Sequence, residues 1–215
     1  MSLTENFAIV VVGGMNPRIH HPLFYKMLEL APEQEIQAAL DSDSTICVPQ
    51  TAQLDLGDVR VVCLPDRWQI SSTNEAACPR LLSVADRVMS ALDFTPVSAV
   101  GFNFDFVRSA GAKLADRLAA LSRTMPLAFP PGPGASAAFT YSTVEAETAA
   151  KLTRRVTIQL GADGPGRLFA RQNFHYDIHI VGHFSVGEIM RARHERDRSA
   201  AQAQLARTLD AIKEP

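Results

Sequence analysis

The chain has 215 residues, 47% of them hydrophobic and 20% charged, and its net charge is −2. This composition is typical of globular domains, so it excludes a chain that is disordered throughout. The near-neutral charge also argues against nucleic acid as a partner, because binding to phosphates needs an excess of Lys and Arg.

Cysteine usage and the apolar runs indicate the compartment. The three cysteines are odd in number and lack C-x-x-C spacing, which predicts reduced thiols in a cytoplasmic protein. The first residues lack the basic start of a signal peptide, and no run approaches about 18 apolar residues. We therefore expect a cytoplasmic protein without a membrane span.

Charge is distributed unevenly along the chain. Residues 1–150 carry 10 Lys and Arg against 16 Asp and Glu, a net charge of −6, whereas residues 151–198 carry 9 against 5, a net charge of +4. This polarity favours head-to-tail self-association or an anionic partner. Charges scattered over a solvated surface are the alternative explanation.

The N-terminal elements begin with a buried strand, which the β-branched run Phe7–Val12 predicts. Gly13–Gly14 follows that run without the spacing of a phosphate-binding loop, so we interpret the pair as a structural turn. Prolines then mark the starts of two short helices, over Leu23–Leu30 and Glu33–Leu40.

The middle of the chain alternates between strands and a helix. Strands are predicted over Thr45–Val48, Val59–Leu64, Trp68–Ser71 and Val97–Val107, and a helix runs from Pro79 to about Leu92. Leu54–Asp58 is interpreted as a hairpin turn. In the last strand, one face carries the apolar side chains Val100, Phe102, Phe104 and Phe106, and the other carries Ala99, Gly101, Asn103 and Asp105.

A break and a second set of strands complete the chain. Thr124–Ala135 contains four prolines and two glycines, which predicts a linker or long loop over 124–137. Strands are predicted over Ala138–Val144, Arg155–Leu160 and Leu168–Ile180. A capping box of Ser185 and Glu188 then starts a helix that runs from Val186 to about Ile212.

These elements predict an α+β fold with a mainly antiparallel sheet, flanking helices and a long C-terminal helix. The two halves, 1–123 and 138–215, each run from a strand meander into a helix, and we expect them to pack as one unit. Past its charged middle, the C-terminal helix regains an apolar stripe that needs a partner, formed by Ala201, Leu205, Leu209 and Ile212. We expect a second copy of the chain to cover this stripe.

Histidines supply the most suggestive chemical pattern. On a strand, His175, Asp177 and His179 project from one face about 7 Å apart, and imidazole and carboxylate groups bind first-row metals. The shell would be completed by His183, His20 and His21. The alternative is that these residues are simply the wet face of a strand whose other face carries Phe174, Tyr176 and Ile178.

Two further sets are candidates for binding. Asn103 and Asp105 lie beside Gly101 on the polar face of their strand and would suit a small molecule or nucleotide. The charged run in the C-terminal helix offers Arg191, Arg193, Arg196 and Arg198, as a solvated face or as a docking surface. Cys47 and Cys63, inside apolar strands, are interpreted as inert core thiols.

Three stretches, Gly13–Pro22, Pro65–Trp68 and Thr95–Phe104, together resemble a sporadically distributed family of uncharacterised bacterial and phage-associated proteins. The resemblance spans most of the chain and implies the same α+β unit of two halves. It implies no activity and no catalytic residues.

The sequence therefore favours a non-enzymatic protein–protein interaction or assembly module that associates with itself and needs no cofactor. The first alternative is a metal-dependent hydrolase-like enzyme built on the His-x-Asp-x-His strand. The second is a small-molecule or nucleotide binder.

Overall fold

The structure, a computed structural model, describes residues 4–109, 138–147, 152–162, 167–178 and 186–213. Within these ranges, nine strands form a single antiparallel sheet, and four helices include a long C-terminal one. The predicted α+β class is confirmed. The predicted linker over 124–137, the strand end at Ile180 and the cap at Ser185 lie outside the described residues.

The elements have the following bounds. The strands are β1 (Thr4–Gly13), β2 (Ile46–Val48), β3 (Thr51–Leu56), β4 (Val59–Leu64), β5 (Arg67–Ser72), β6 (Val97–Ser109), β7 (Ala138–Glu147), β8 (Leu152–Ala162) and β9 (Arg167–Ile178). The helices are α1 (Pro22–Met27), α2 (Glu33–Leu40), α3 (Cys78–Ala91) and α4 (Val186–Lys213). Short 3₁₀ turns occupy Pro17–Ile19 and Glu75–Ala77.

The sheet consists of two halves with similar connections. Its strand order is β2-β3-β4-β5-β1-β6-β9-β8-β7. In each half, the strand that comes first in the chain lies at the centre of the sheet. The chain then continues at the edge of the sheet and forms a meander, whose last strand pairs with that first strand: β5 with β1, and β9 with β6. The two first strands, β1 and β6, pair with each other at the centre. One sheet therefore joins both halves, while their unfolding as one unit stays a prediction.

One strand was not predicted. β3 covers Thr51–Leu56, where the sequence was interpreted as running into a turn at Leu54–Asp58. The actual turn is only Gly57 and Asp58, because Leu56 lies opposite Val59. Gly57 has a φ of 60°, which glycine adopts at little cost, so this two-residue loop reverses the chain more tightly than expected.

The core lies on one face of the sheet, between the strands and the helices. All four apolar side chains predicted for the inner face of β6 are buried, namely Val100, Phe102, Phe104 and Phe106. Phe7 of β1 contacts two of these rings edge to face, with centroid distances of 6.3 Å to Phe104 and 6.1 Å to Phe106. Trp68 of β5 and Tyr25 of α1 are fully buried and belong to the same core.

Polar residues dock the charged part of α4 onto the sheet. His194 is 3% exposed, and its ring lies 5.3 Å from that of Phe102. Asp197 is fully buried and accepts hydrogen bonds from the Tyr176 hydroxyl at 2.5 Å and from Arg154 Nη2 at 3.2 Å.

For Ala201 and Leu205, the docking of α4 corrects the expectation that a second copy covers the apolar stripe. Ala201 and Leu205 are already buried against the chain's own core. The side chains of Leu209 and Ile212 lie outside the described part. The stripe is continuous with the residues before it, because Met190, His194 and Asp197 occupy the preceding turns of the same buried face.

Helix α1 ends three residues before its predicted end at Leu30, in a Schellman turn. The Leu30 N–H donates to Tyr25 O at 3.0 Å, and the Glu29 N–H donates to Lys26 O at 2.9 Å. Glu29 has a φ of 55°, a left-handed conformation that disfavours residues with a Cβ atom.

We therefore expect Glu29→Gly to raise the free energy of unfolding by about 1 kcal/mol. Ala38→Gly is the matched control, because it places glycine at an exposed position inside α2 and should lower stability by about 1 kcal/mol. Urea denaturation measures both changes. Equal destabilisation by the two variants would contradict the prediction.

Candidate functional site

The face of the sheet opposite the core carries polar side chains at its centre. Asn103 of β6 lies opposite Ala8 of β1 and Asn173 of β9. Because directly opposite residues project from the same face, these side chains lie together on the face turned away from Phe104. In the next row of the same face, Asp105 lies opposite Asn6 and Arg171.

These rows line a shallow groove of about 290 Å³ that crosses five neighbouring strands. Its lining is almost wholly polar and comes from both halves of the sheet: Asn6, Ala8, Gln69, Asn103, Asp105, Thr157, Gln159, Arg171, Gln172 and Asn173. The groove thus contains both residues that the sequence proposed for this strand, Asn103 and Asp105.

Side-chain amides organise the floor of the groove. Asn173 Nδ2 donates to Asn103 Oδ1, and Asn6 Nδ2 donates to Asp105 Oδ2 at 3.4 Å. An asparagine amide has two donor hydrogens and two acceptor lone pairs. These bonds therefore leave the Asn103 nitrogen and the Asn173 oxygen with capacity to bind a ligand or partner.

Asp105 and Arg171 place opposite charges at one end of the groove. Burial raises the pKa of Asp105, against the hydrogen bond from Asn6 and the positive charge of Arg171. The Arg171 guanidinium lies 4.9 Å from the centre of the Phe169 ring, a cation–π distance. This end of the groove can therefore bind a polar group through both a donor and an acceptor.

A second polar cluster lies on the same face, beside Gly101. His175 Nε2 lies 3.0 Å from Asp177 Oδ1, and Arg155 Nη2 donates to Asp177 Oδ2 at 2.8 Å. Partial burial would raise the pKa of Asp177, but the hydrogen bonds and charges of His175 and Arg155 lower it. His175 and Asp177 therefore lie on one face of the strand, and the Asp177 carboxylate is held between His175 and Arg155.

Of the remaining histidines of the proposed metal shell, the two that the structure describes, His20 and His21, are not brought to this cluster. His20 lies against Trp68 on the core face, opposite to the face of His175, and its Nδ1 lies 2.8 Å from the Tyr25 hydroxyl. His21 caps helix α1 by accepting from the Leu23 N–H. His179 and His183 lie outside the described residues. Among the described residues, no three His, Cys, Asp or Glu side chains form a group that could hold a metal ion.

We expect the purified protein to carry no stoichiometric metal, and a metal-free preparation to melt at the same temperature with and without added zinc or manganese. A metal site would raise the melting temperature as metal concentration exceeds its dissociation constant. Elemental analysis and thermal melts measure the two properties. One equivalent of metal that is lost in the His175→Ala, His179→Ala double variant would contradict this expectation.

The arginines proposed for binding make contacts within the chain. Arg191 Nη1 donates to Asp86 of α3, and Arg198 contacts Glu195 at 2.8 Å and Glu75 at 3.3 Å. Arg196 Nη2 donates to the Tyr176 hydroxyl at 2.6 Å.

Arg193 is partly buried and also interacts with its surroundings. The charged run therefore fastens α4 to its own sheet and to α3.

The structure also shows residues that the sequence analysis missed. Asn6, Gln69, Asn173 and Arg171 join the groove only because of the strand order. Met190, His194, Asp197 and Ala201 form one buried face of α4, but the sequence carries no signal for it, because His194 and Asp197 are polar residues within the charged run. Cys63 is buried as expected, and burial raises its pKa to about 12, but Cys47 is exposed rather than in the core.

Comparisons with known proteins add no assignment. No protein-family model matches the chain, and no curated protein matches it. Among the helices of the described ranges, none is both long and apolar enough to cross a membrane.

Proposed function

We propose that this protein is a non-enzymatic interaction module that binds a protein partner on the face of its sheet opposite the core. We call this surface, which carries Asn103 and Asn173, the open face. The observation that carries the proposal is the polar groove at the centre of that face, to which both halves of the sheet contribute. Within the part of the chain that the structure describes, the Asn103 nitrogen and the Asn173 oxygen are left as a donor and an acceptor there. A polypeptide segment offers the complementary pair in every peptide unit.

The charges of this face favour a protein over a nucleic acid. Arginines lie next to aspartates of neighbouring strands on the open face, as Arg60 beside Asp55, Arg171 beside Asp105 and Arg155 beside Asp177. Binding to a phosphate backbone depends on a continuous basic surface. A mixed surface suits a protein interface, where charges of both signs fix the orientation of the partners.

The open face is also large enough for a specific partner. Nine strands spaced about 4.8 Å apart make a sheet about 40 Å wide. A specific protein interface buries roughly 800 Å² on each partner, which part of this face supplies.

Photo-crosslinking tests the proposal. A photoreactive amino acid is placed at Gln69 or Thr157, on the lining of the groove, and at Phe94, which is 96% exposed in the turn after α3. We expect discrete adducts in cells from the groove positions, absent from the Phe94 control and reduced by Asn103→Arg. Identical adducts from all three positions, or none from the groove, would refute the proposal.

A small molecule or nucleotide is a second candidate ligand, favoured by the same unused amide groups. A panel of small molecules is screened by thermal shift against the wild-type protein. A ligand that raises the melting temperature of the wild type but not of Asn103→Ala would support this candidate. Loss of the partner adducts when that ligand is added would show that both use one site.

A further inference from the structure

The two edges of the sheet differ in how they are protected from pairing with other strands. β2 is three residues long, and Pro49 follows it at once. At the other end of the described sheet, β7 is ten residues long and contains neither proline nor lysine. Short edge strands, prolines and charged side chains, lysine above all, are devices by which proteins prevent edge pairing. β2 has the first two, whereas β7 has only the two glutamates at its C-terminal end, Glu145 and Glu147.

The composition of β7 makes its edge a strong template. Six consecutive residues, Phe139–Val144, are aromatic, β-branched or serine, and they carry no charge. Such a segment on an unpaired edge is an aggregation hazard unless another strand covers it. Val144 adds a large apolar side chain that is 66% exposed on the open face.

We propose that β7 pairs with β7 of a second copy of this chain, antiparallel across a two-fold axis, and that the two sheets join edge to edge. A ten-residue antiparallel pair forms about ten main-chain hydrogen bonds. The contact is isologous, because one strand meets its own copy. The proposal concerns a different surface from the groove, so either proposal can fail without the other.

Side chains fit this symmetric pairing. A two-fold axis near Ser142 or Thr143 places Val144 opposite Thr140 or Ser142 of the other copy, so that Val144 is covered by small side chains. In the same registers, Glu145 lies opposite Phe139 or Tyr141 and never opposite its own copy.

The charge of Glu145 is also matched inside each chain. Its carboxylate contacts Arg154 Nη1 of β8 at 3.0 Å. Glu145 therefore adds no unmatched charge that would oppose the approach of a second copy.

Charged substitutions test the proposal by sedimentation velocity at tens of micromolar. We expect the wild type to sediment as a dimer and the Ser142→Lys, Val144→Lys double variant to sediment as a monomer, because like charges then face each other across the axis. Val48→Lys is the matched control, as an exposed valine on the same face at the opposite edge, and should leave the dimer intact. A monomeric wild type, or a dimer that Val48→Lys dissociates, would overturn the proposal.

A cysteine scan tests the register and does not depend on the folding of the lysine variant. The exposed Cys47 is replaced by serine, and single cysteines are introduced at Thr140, Ser142, Thr143 and Val144. Only a residue near a two-fold axis lies opposite its own copy, so oxidation should yield a disulfide-linked dimer with a maximum near Ser142 or Thr143. Equal yields at all positions, or no dimer at any, would contradict the symmetric pairing.

Discussion

Replacing Phe104 with alanine is expected to lower the free energy of unfolding by about 3–5 kcal/mol. The Phe104 side chain is 1% exposed. Its ring makes edge contacts with Phe7 at 6.3 Å and Phe174 at 5.7 Å, and it lies 5.8 Å from the His194 ring. The substitution opens a cavity where both halves of the sheet and helix α4 meet, and such a site cannot collapse easily.

The matched control is Asn103→Ala, one residue away on the open face. That side chain is only partly buried on the face turned away from the core, so its loss should cost less than about 1 kcal/mol. Urea denaturation of the wild type and both variants measures the difference. A loss below about 1 kcal/mol for Phe104→Ala would show that the faces of β6 are assigned the wrong way round.

The faces of β6 were predictable because they depend on local pattern alone. Phenylalanines alternate with glycine and polar residues along Val97–Val107, and a strand must place such a pattern with one side inward. β3 was missed because the turn that follows it was assumed to be too long. The alternation of Ala52, Leu54 and Leu56 was present, but Gly57 and Asp58 permit a turn shorter than the one assumed.

The docking of α4 was not predictable from helical pattern. His194 and Asp197 count as polar in a sequence, so they interrupt the apolar stripe. In the fold they are buried, because His194 packs on Phe102 and Asp197 accepts a hydrogen bond from the Tyr176 hydroxyl. A buried polar group is tolerated only with such partners, and these partners lie on distant strands.

The candidate site was predictable only in part for the same reason. Asn103 and Asp105 belong to one strand, so alternation placed them on the open face. Their neighbours Asn6 and Asn173 come from β1 and β9, and only the strand order brings them together. In the alternative interpretation of a metal shell, His20 and His21 join His175, and the structure places these two elsewhere. Period-two alternation within one strand does not tell which face of the sheet a distant loop covers.

The last expectation is a loss of stability between about pH 6.5 and pH 4, caused by two buried histidines. His20 is 1% exposed, its Nε2 has no hydrogen-bond partner in the described part of the chain, and burial lowers its pKa to about 4. Burial also lowers the pKa of His194 to about 4, with Glu195 acting in the opposite direction and Arg198 in the same direction. Both side chains are therefore neutral in the folded protein at neutral pH.

The sign of the effect follows from these values. An unfolded histidine has a pKa near 6.5, so below that pH the unfolded chain binds protons that the folded chain does not. Stability is complete above about pH 6.5 and decreases as the pH falls to about 4. A difference between about 6.5 and about 4 corresponds to about 3 kcal/mol for each histidine. Neighbouring charged groups lower the pKa values of Asp177 and Glu195, although burial opposes the shift. The contributions of these two carboxylates to stability are therefore lost only at lower pH.

Urea denaturation at about pH 7.5 and about pH 4.5 measures this loss. His194→Leu removes one titrating group from an apolar site beside Phe102 and should reduce the loss by roughly half. His21→Asn is the matched control, because asparagine keeps an acceptor for the cap of α1, and it should show the full loss. An unchanged pH dependence in His194→Leu would mean that folding does not shift the pKa of His194, and would contradict the expectation.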